Sequence, residues 1–261
     1  MLRLLKRLPF LRDPGTRRAL RQIPGLRQLR HAAANGRRTY YRFFGQQWLK
    51  RKLAASESKR IVIGAWSKFD HGWIPTQQDF LDLTDSAQWS TYFEPNSIDA
   101  MLAEHVWEHI TPEEGLAAAK TCYTYLKPGA ALRIAVPDGL LPDPGYVDLV
   151  KADAVNPSAE KVPDAGGNAT NHKALYTYRT LKGLFERAGF RVVLYEYFDE
   201  QGAFHCQDWD AKGGTITRSK RFDPRNTNGR LASVYPGTMD DYLAYSSLIL
   251  DAVKDPAPRP A

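Results

Sequence analysis

Four ionisable residues follow one short apolar segment, and their types suit acid–base chemistry. The segment covers residues 98–103 and is followed by Glu104, His105, Val106, Trp107, Glu108 and His109. Histidine titrates near neutral pH, and a carboxylate accepts protons or hydrogen bonds. His105 and His109 would share a helical face, as zinc ligands do in His-Glu-x-x-His, but Val106 stands where that motif has its glutamate. We therefore expect no metal site here.

A strand–helix–strand unit should position these residues. Residues 98–103 are suited to a buried strand, Thr111 can cap a helix that ends near Leu126, and residues 132–136 form a second apolar run. A unit of this length predicts a parallel sheet, and open α/β sheets bind ligands at the carboxyl ends of their strands. We expect Glu104 and His105 to border a pocket at that edge, with Glu108 and His109 fixing the start of the helix. Asp138 follows the second strand and points at the same edge.

The motifs of this unit resemble those of a known family. They read Asn96-Ser97-Ile98-Asp99-Ala100, Glu104-His105-Val106-Trp107-Glu108-His109, Leu126-Lys127-Pro128-Gly129 and Val136-Pro137-Asp138. They are similar to the fourth strand, following helix and fifth strand of class I S-adenosylmethionine-dependent methyltransferases. The nearest match is the small bacterial branch often found with cell-surface polysaccharide genes. The resemblance runs from about residue 60 to residue 254. It implies a Rossmann-like α/β fold whose sheet is mostly parallel with an antiparallel last strand, and S-adenosylmethionine as the cofactor.

The resemblance also implies which residues hold the cofactor. They are Gly64, Ala65, Trp66, Gln77, Asp79, Asp82, Glu104 and His105. Three features depart from the family pattern: Trp66 replaces a small residue, the second strand follows so soon that the first loop and helix are shortened, and Gln77 or Gln78 replaces the acid that commonly binds the ribose. Asp79 could take that place after a register shift. Residues 80–83 resemble the next strand, which would bring Asp82 near the adenine.

A hydroxyl acceptor would need a base, and three residues are candidates. His172 is the first, His105 the second and Asp138 the third, each with a structural role as its alternative. His172 follows a long loop over residues 141–171 that is rich in Pro, Asp and Gly. A polar insert over residues 199–243 stands where the family branch has its acceptor side. Residues 246–253 predict a last strand that enters antiparallel at the sheet edge.

The chain begins with a basic arm, residues 1–58. Residues 1–60 hold seventeen Lys and Arg against two acids, a net charge of about +15. Since the whole chain has a net charge of +7, the remaining residues carry about −8. Leucines alternate with basic residues over positions 1–30. Such a segment could dock on an anionic membrane surface, and nucleic acid is a less favoured partner. A solvated, partly disordered extension is the simplest alternative. Aromatic residues at positions 40–48 should belong to a helix that packs on the main domain.

Size and composition limit the remaining choices. The chain of 261 residues can hold one α/β domain, which we place at residues 59–255, followed by a disordered tail at 256–261. Two cysteines make a disulfide framework improbable, and we find neither a membrane span nor a signal peptide. We expect a cytoplasmic protein, peripheral at the inner membrane face if the arm docks there. The expected activity is methylation of a sugar or glycan intermediate in cell-surface polysaccharide synthesis. The alternatives are an inactive binding or scaffold protein tethered by its arm, and an RNA methyltransferase.

Overall fold

The computed structural model of the protein describes residues 42–65, 70–151, 171–219 and 247–256. The chain divides into two compact units, residues 1–48 and 49–261. Helix α1 covers residues 42–54, and its Leu49 and Leu53 are buried in the core of the second unit. Within the described ranges, no helix combines the length and hydrophobicity that a membrane crossing requires. The proposed docking segment, residues 1–30, lies outside the described residues and stays a prediction.

The second unit is built on one mixed sheet. Its strands are β1 (Arg60–Ile63), β2 (Ile74–Pro75), β3 (Ala100–Glu104), β4 (Ala131–Val136), β5 (Arg191–Phe198), β6 (Phe204–Cys206) and β7 (Leu248–Val253). They lie in the order β2-β1-β3-β4-β7-β5-β6. The first four pair in parallel, and β7 is antiparallel to both of its neighbours. The predicted Rossmann-like α/β fold with an antiparallel last strand is confirmed.

The place of the last strand differs from the prediction. Instead of lying at the sheet edge, β7 is inserted between β4 and β5 and pairs with both. Its Leu248, Ile249 and Leu250 are fully buried, which suits a strand covered on both faces and paired on both sides. The edge is formed by the short strand β6, which pairs only with β5 among the described strands.

Four α-helices follow α1 in the described residues, together with short 3-10 helices at Trp107–His109 and Ala211–Gly213. The four α-helices are α2 (Ser86–Trp89), α3 (Pro112–Tyr125), α4 (Pro144–Val150) and α5 (Tyr178–Arg187). Helix α3 begins as predicted, because Thr111 and Glu114 form a capping box in which each side chain bonds the other's backbone N–H. Helix α4 lies within the segment expected to be a long loop and begins at the sequence Asp143-Pro144, where the aspartate caps the N–H of Tyr146. Residues 152–170 of that segment lie outside the described residues.

The prediction of a strand over residues 80–83 is wrong. These residues form turns, because the Asp82 carboxylate accepts hydrogen bonds from the backbone N–H and the hydroxyl of Thr84. An aspartate bonded to the residue two positions later stabilises a turn at the expense of extended backbone.

Helices cover one face of the sheet, and part of the predicted polar insert covers the other. On the helical face, Trp89, Trp107 and Phe185 are fully buried against α3 and the strands. On the opposite face, Trp209 and Ile216 of the insert pack on a smaller apolar cluster. That cluster comprises Val62, Ala65, Trp73, Leu102, Ala135 and Ile249. The described part of the insert is therefore a structural layer of the domain.

A buried arginine fastens this layer to the sheet. The Arg133 guanidinium is bidentate to the Asp251 carboxylate, with N–O distances of 2.8 and 2.9 Å. Its Nη1 also donates to the carbonyl oxygens of Asp210 and Gly214, at 2.6 and 2.8 Å. The guanidinium carbon lies 4.6 Å from the centre of the Trp209 ring. Strands β4 and β7 are thus tied to the insert by one residue.

The aromatic residues of α1 are only partly explained by packing. Tyr40 and Tyr41 lie outside the described residues. The helix itself is confirmed, but Phe43, Phe44 and Trp48 are 59, 52 and 37% exposed, so burial does not account for these three aromatic side chains. The buried positions of α1 are instead Leu49 and Leu53, four residues apart on one helical face.

Candidate functional site

The carboxyl end of β3 carries the residues that the sequence singled out, beginning with Glu104. The two oxygens of its carboxylate accept hydrogen bonds from the backbone N–H groups of Thr217 and Arg218, at 3.1 and 3.0 Å. Glu104 therefore holds the insert against the edge where ligands bind in open α/β sheets. Its predicted contact with the cofactor stays a prediction.

His105 is held from three sides in an uncommon backbone conformation. Its φ of 56° is left-handed, and its N–H donates to the carbonyl of Ala135 at 2.8 Å. Its Nδ1 lies 2.8 Å from Oε1 of Glu108, and its Nε2 lies 3.0 Å from Oγ of Ser247. Burial, together with the positive charge of Arg218, lowers the pKa of His105 well below its ordinary value. The imidazole is neutral at neutral pH.

The Glu108 side chain is buried and does not cap the following helix, whose first turn is capped by Thr111 and Glu114. Its side chain is 1% exposed, and burial raises the pKa of its carboxyl to about 8. While Oε1 pairs with His105, Oε2 is buried and has no hydrogen-bond partner among the described residues. Its backbone carbonyl accepts from the N–H groups of Lys173 and Ala174, at 2.7 and 3.2 Å. The segment containing His172 is thereby joined to the end of β3.

His172, the first predicted base, lies beside His109. Their ring centres are 4.9 Å apart, with the rings nearly perpendicular. Nδ1 of His172 lies 2.7 Å from the carbonyl oxygen of Val150, and Nδ1 of His109 lies 3.4 Å from that of Asn171. In both cases Nδ1–H is the donor, so each Nε2 carries a lone pair. Burial lowers the pKa of both imidazoles.

Asp138, the third predicted base, is fully buried at the end of β4. Its Oδ1 accepts from the N–H of Leu140 at 2.9 Å, and its Oδ2 accepts from the N–H of Phe198 at 2.7 Å. Both oxygens therefore join the loop after β4 to the end of β5. Burial raises the pKa of its carboxyl to about 6, although both hydrogen bonds favour the ionised form.

The raised pKa of Asp138 predicts a pH dependence of stability. Because the folded pKa of about 6 exceeds the ordinary value of 3.8, its contribution is fully present below pH 3.8 and is lost as the pH rises through 6. The full loss is at most about 3 kcal/mol. In denaturant titrations, the free energy of unfolding of the wild type relative to Asp138→Asn should fall between pH 4 and pH 7. A difference that grows with pH would show instead that the backbone N–H groups stabilise the carboxylate.

The turn after β1 brings backbone close to the same edge. Gly64 has a φ of 66°, and a Cβ built on it would lie 2.7 Å from Cγ2 of Val106. The Ala65 N–H donates to the Thr76 carbonyl at 2.8 Å, and the side-chain amide of Gln77 donates to the Ala65 carbonyl at 3.3 Å. The turn is thus fastened to the chain just after β2.

A methyl group at Gly64 should destabilise the protein through two separate effects. We expect Gly64→Ala to cost about 2–4 kcal/mol, combining left-handed backbone strain with overpacking against Val106. Gly72→Ala is the matched control, because Gly72 has a φ of 84° but open space where its Cβ would lie. In chemical denaturation, equal losses in the two variants would show that the contact with Val106 has no cost.

The other predicted cofactor residues are placed as follows. Gln77 is exposed at the carboxyl end of β2, next to the turn that follows β1. Asp79 is half-buried. Asp82 bonds Thr84 and also receives a hydrogen bond from the Gln78 amide at 3.4 Å. Trp66 lies outside the described residues. The structure brings Gly64, Ala65 and Gln77 together, whereas Asp82 is engaged in its own turn.

A family model described as "Methyltransferase domain" matches residues 10–195, well over half of the chain. The chain belongs to the methyltransferase-domain family. A search among curated proteins gives no match.

Three solved structures similar to this methyltransferase domain are distant from it in sequence. One is phosphoethanolamine N-methyltransferase 2 of Haemonchus contortus in complex with S-adenosyl-L-methionine, with 16% identity, a TM-score of 0.32, and coverage of 59% of this chain and 42% of that one. The S-adenosylmethionine-dependent methyltransferase SibL has 12% identity, a TM-score of 0.35, and coverage of 91% and 61%. A SAM-dependent methyltransferase from Archaeoglobus fulgidus has 12% identity, a TM-score of 0.32, and coverage of 80% and 92%.

Sequence reasoning missed two features of the candidate site. The contact of His105 with Ser247 joins residues more than a hundred positions apart, and no local sequence pattern predicts it. The grouping of Glu108 and His109 with His172 was also missed, because the two segments are separated by helix α3 and the predicted loop. The available signal was that both segments contain histidine, one at a predicted carboxyl edge and the other after the predicted long loop.

Proposed function

We propose that this methyltransferase domain transfers a methyl group from S-adenosylmethionine to a hydroxyl of a sugar or glycan intermediate used in cell-surface polysaccharide synthesis. The single observation that carries the hydroxyl acceptor is the Nε2 lone pair of His172. Its Nδ1–H is bonded to a carbonyl and burial keeps the ring neutral, so a base stands ready at the ligand edge. The sugar class is supported by the motifs at residues 96–109, 126–129 and 136–138.

The residues at the β1 turn fit the cofactor. Gly64 and Ala65 present backbone with little side chain at the carboxyl end of β1, where this fold binds its ligand. Gln77 uses its amide nitrogen on the Ala65 carbonyl, and its amide oxygen can accept a hydrogen bond from a ribose hydroxyl. Because the amide is uncharged, this hydrogen bond is weaker than the one that a carboxylate at the same place would accept.

The protein's own contribution is to align the acceptor and to remove its proton. When bound, S-adenosylmethionine supplies an electrophilic methyl group on a sulfonium. In the cluster of Glu108, His109 and His172, His172 is the predicted base that would take the proton of the acceptor hydroxyl. Glu104 and Asp138 hold the surrounding loops through backbone N–H groups, which fixes the position of these loops around the proposed site.

Methyl transfer to a panel of acceptors tests the proposal. The full chain is incubated with S-adenosylmethionine and either nucleotide-linked sugars, lipid-linked glycans or RNA, and S-adenosylhomocysteine formation is measured. Product with a sugar acceptor supports the proposal. Product with RNA alone would replace it with the RNA methyltransferase alternative, and no product despite cofactor binding would show that the acceptor class is wrong.

A further inference from the structure

We propose that Glu108, His109 and His172 form a binding site for one divalent transition-metal ion. Each residue offers one ligand atom, and the three atoms lie within 4.8 Å of one another. Glu108 and His172 are buried, and His109 is half-buried. Two imidazoles and one carboxylate at this spacing form a three-ligand set of the kind that holds zinc or iron(II) with coordination positions left open.

The two histidines are oriented as metal ligands are. A ligating histidine usually donates its second ring N–H to a carbonyl or carboxylate, which fixes the tautomer and the direction of the lone pair. Nδ1 of His172 is bonded to the Val150 carbonyl at 2.7 Å, and Nδ1 of His109 to the Asn171 carbonyl at 3.4 Å. Each ring therefore keeps its Nε2 lone pair for an ion.

Glu108 provides an independent observation. Its Oε2 is buried and has no hydrogen-bond partner among the described residues, a costly state for a polar atom that calls for an explanation. Its Oε1 is 2.8 Å from Nδ1 of His105, whose Nε2 contacts Oγ of Ser247 at 3.0 Å. These two contacts orient the Glu108 carboxylate. In metal sites, a ligating carboxylate is oriented in the same way by hydrogen bonds to residues that do not touch the ion. An ion at Oε2 would satisfy the remaining atom.

The ligands are held together before any ion binds. The Glu108 carbonyl accepts the N–H groups of Lys173 and Ala174, so the residues that carry the ligands are joined by backbone hydrogen bonds. Two other charged groups lie close by. The Glu104 carboxylate favours a cation and the Arg218 guanidinium opposes one, and both act on Glu108. Binding of an ion requires Glu108 to lose its proton, and the two carboxylates then outweigh the single guanidinium.

The nitrogen ligands select the class of metal. Imidazole suits zinc, iron, copper and nickel, whereas magnesium and calcium prefer sites made of oxygen ligands. Resting on the proposed function, an open coordination position would take the acceptor hydroxyl and lower its pKa. With Nε2 of His172 bound to the ion, the proton of the coordinated hydroxyl would pass to solvent water; without an ion, Nε2 takes that proton as proposed above.

Metal titration of the full chain tests the site without cofactor or acceptor. After dialysis against a chelator, the wild type is titrated with Zn²⁺ and, separately, with Co²⁺ by calorimetry, and thermal unfolding is followed with and without metal. We expect one equivalent to bind and to raise Tm. Glu108→Gln, His109→Asn and His172→Asn should each weaken binding by at least about tenfold.

The controls separate loss of the site from loss of the fold. His205→Asn should bind metal like the wild type, because His205 is exposed and bonds Asp199 in the turn between β5 and β6. Circular dichroism of each metal-free variant establishes that it is folded, and His109→Asn is the variant least exposed to packing damage because His109 is half-buried. Absence of binding to the wild type, or unchanged binding to folded Glu108→Gln and His109→Asn, would overturn the site. Either result leaves the test of methyl transfer unaffected, because that test measures a separate product.

Discussion

Replacing Arg133 by methionine is expected to lower the free energy of unfolding by about 3–5 kcal/mol. The substitution leaves the buried Asp251 carboxylate without its bidentate partner, and only the Tyr195 hydroxyl still donates to it, at 3.2 Å. It also frees the carbonyl oxygens of Asp210 and Gly214, which anchor the insert over the sheet. Denaturant titration of the full chain measures the loss.

Two further variants show whether the uncompensated charge causes that loss. Arg133→Met combined with Asp251→Leu should recover a large part of it, because the double change removes both buried charges. Lys127→Met is the matched control: Lys127 bonds Asp99 at 2.6 Å, but it is 46% exposed, so its loss should cost no more than about 1 kcal/mol. Equal losses for Arg133→Met and Lys127→Met would contradict the structural role given to Arg133.

Replacing His172 by asparagine is expected to lower the kcat of methyl transfer by about 10²–10⁴-fold. Asparagine can still donate a hydrogen bond to the Val150 carbonyl, which His172 contacts at 2.7 Å, but it lacks the Nε2 lone pair. The loss is expected whether that lone pair takes the proton or holds an ion. The measurement is S-adenosylhomocysteine release under saturating cofactor, with the acceptor that the panel identifies.

The matched variant for this experiment is His205→Asn. His205 contacts the Asp199 carboxylate at 2.6 Å and is exposed on β6, so its replacement should leave kcat within about twofold. Cofactor affinity should be unchanged in both variants, because neither residue lies at the β1 turn. Full activity of His172→Asn would rule His172 out and return attention to His105 and Asp138.

Local patterns predicted the central strand–helix–strand unit well. The Thr111 cap, the helical repeat and the two flanking apolar runs are read from neighbouring residues, and α3, β3 and β4 follow them. The place of β7 and the turn at residues 80–83 were not predicted. Strand order depends on contacts between distant segments, and the Asp82–Thr84 bonds replaced an extended segment by a local turn.

The places of several candidate site residues in the fold could be predicted from the sequence, but their hydrogen-bond partners could not. Residues at the carboxyl ends of β3 and β4 were chosen because the fold places ligands there, and His172 was chosen for its type. The sequence offered no sign that Glu104 would bond the N–H groups of Thr217 and Arg218, or that both oxygens of Asp138 would be engaged. These are backbone contacts across loops, and no pattern of side-chain types encodes them.

The first measurement to make is calorimetric titration of S-adenosylmethionine and S-adenosylhomocysteine into the full chain. We predict micromolar binding that Gln77→Ala weakens by about fivefold, the worth of one hydrogen bond. Gln78→Ala should bind like the wild type, because Gln78 contacts Asp82 and not the β1 turn. No heat and no thermal shift at millimolar ligand would contradict the account and leave a methyltransferase fold that serves as a binding or scaffold domain.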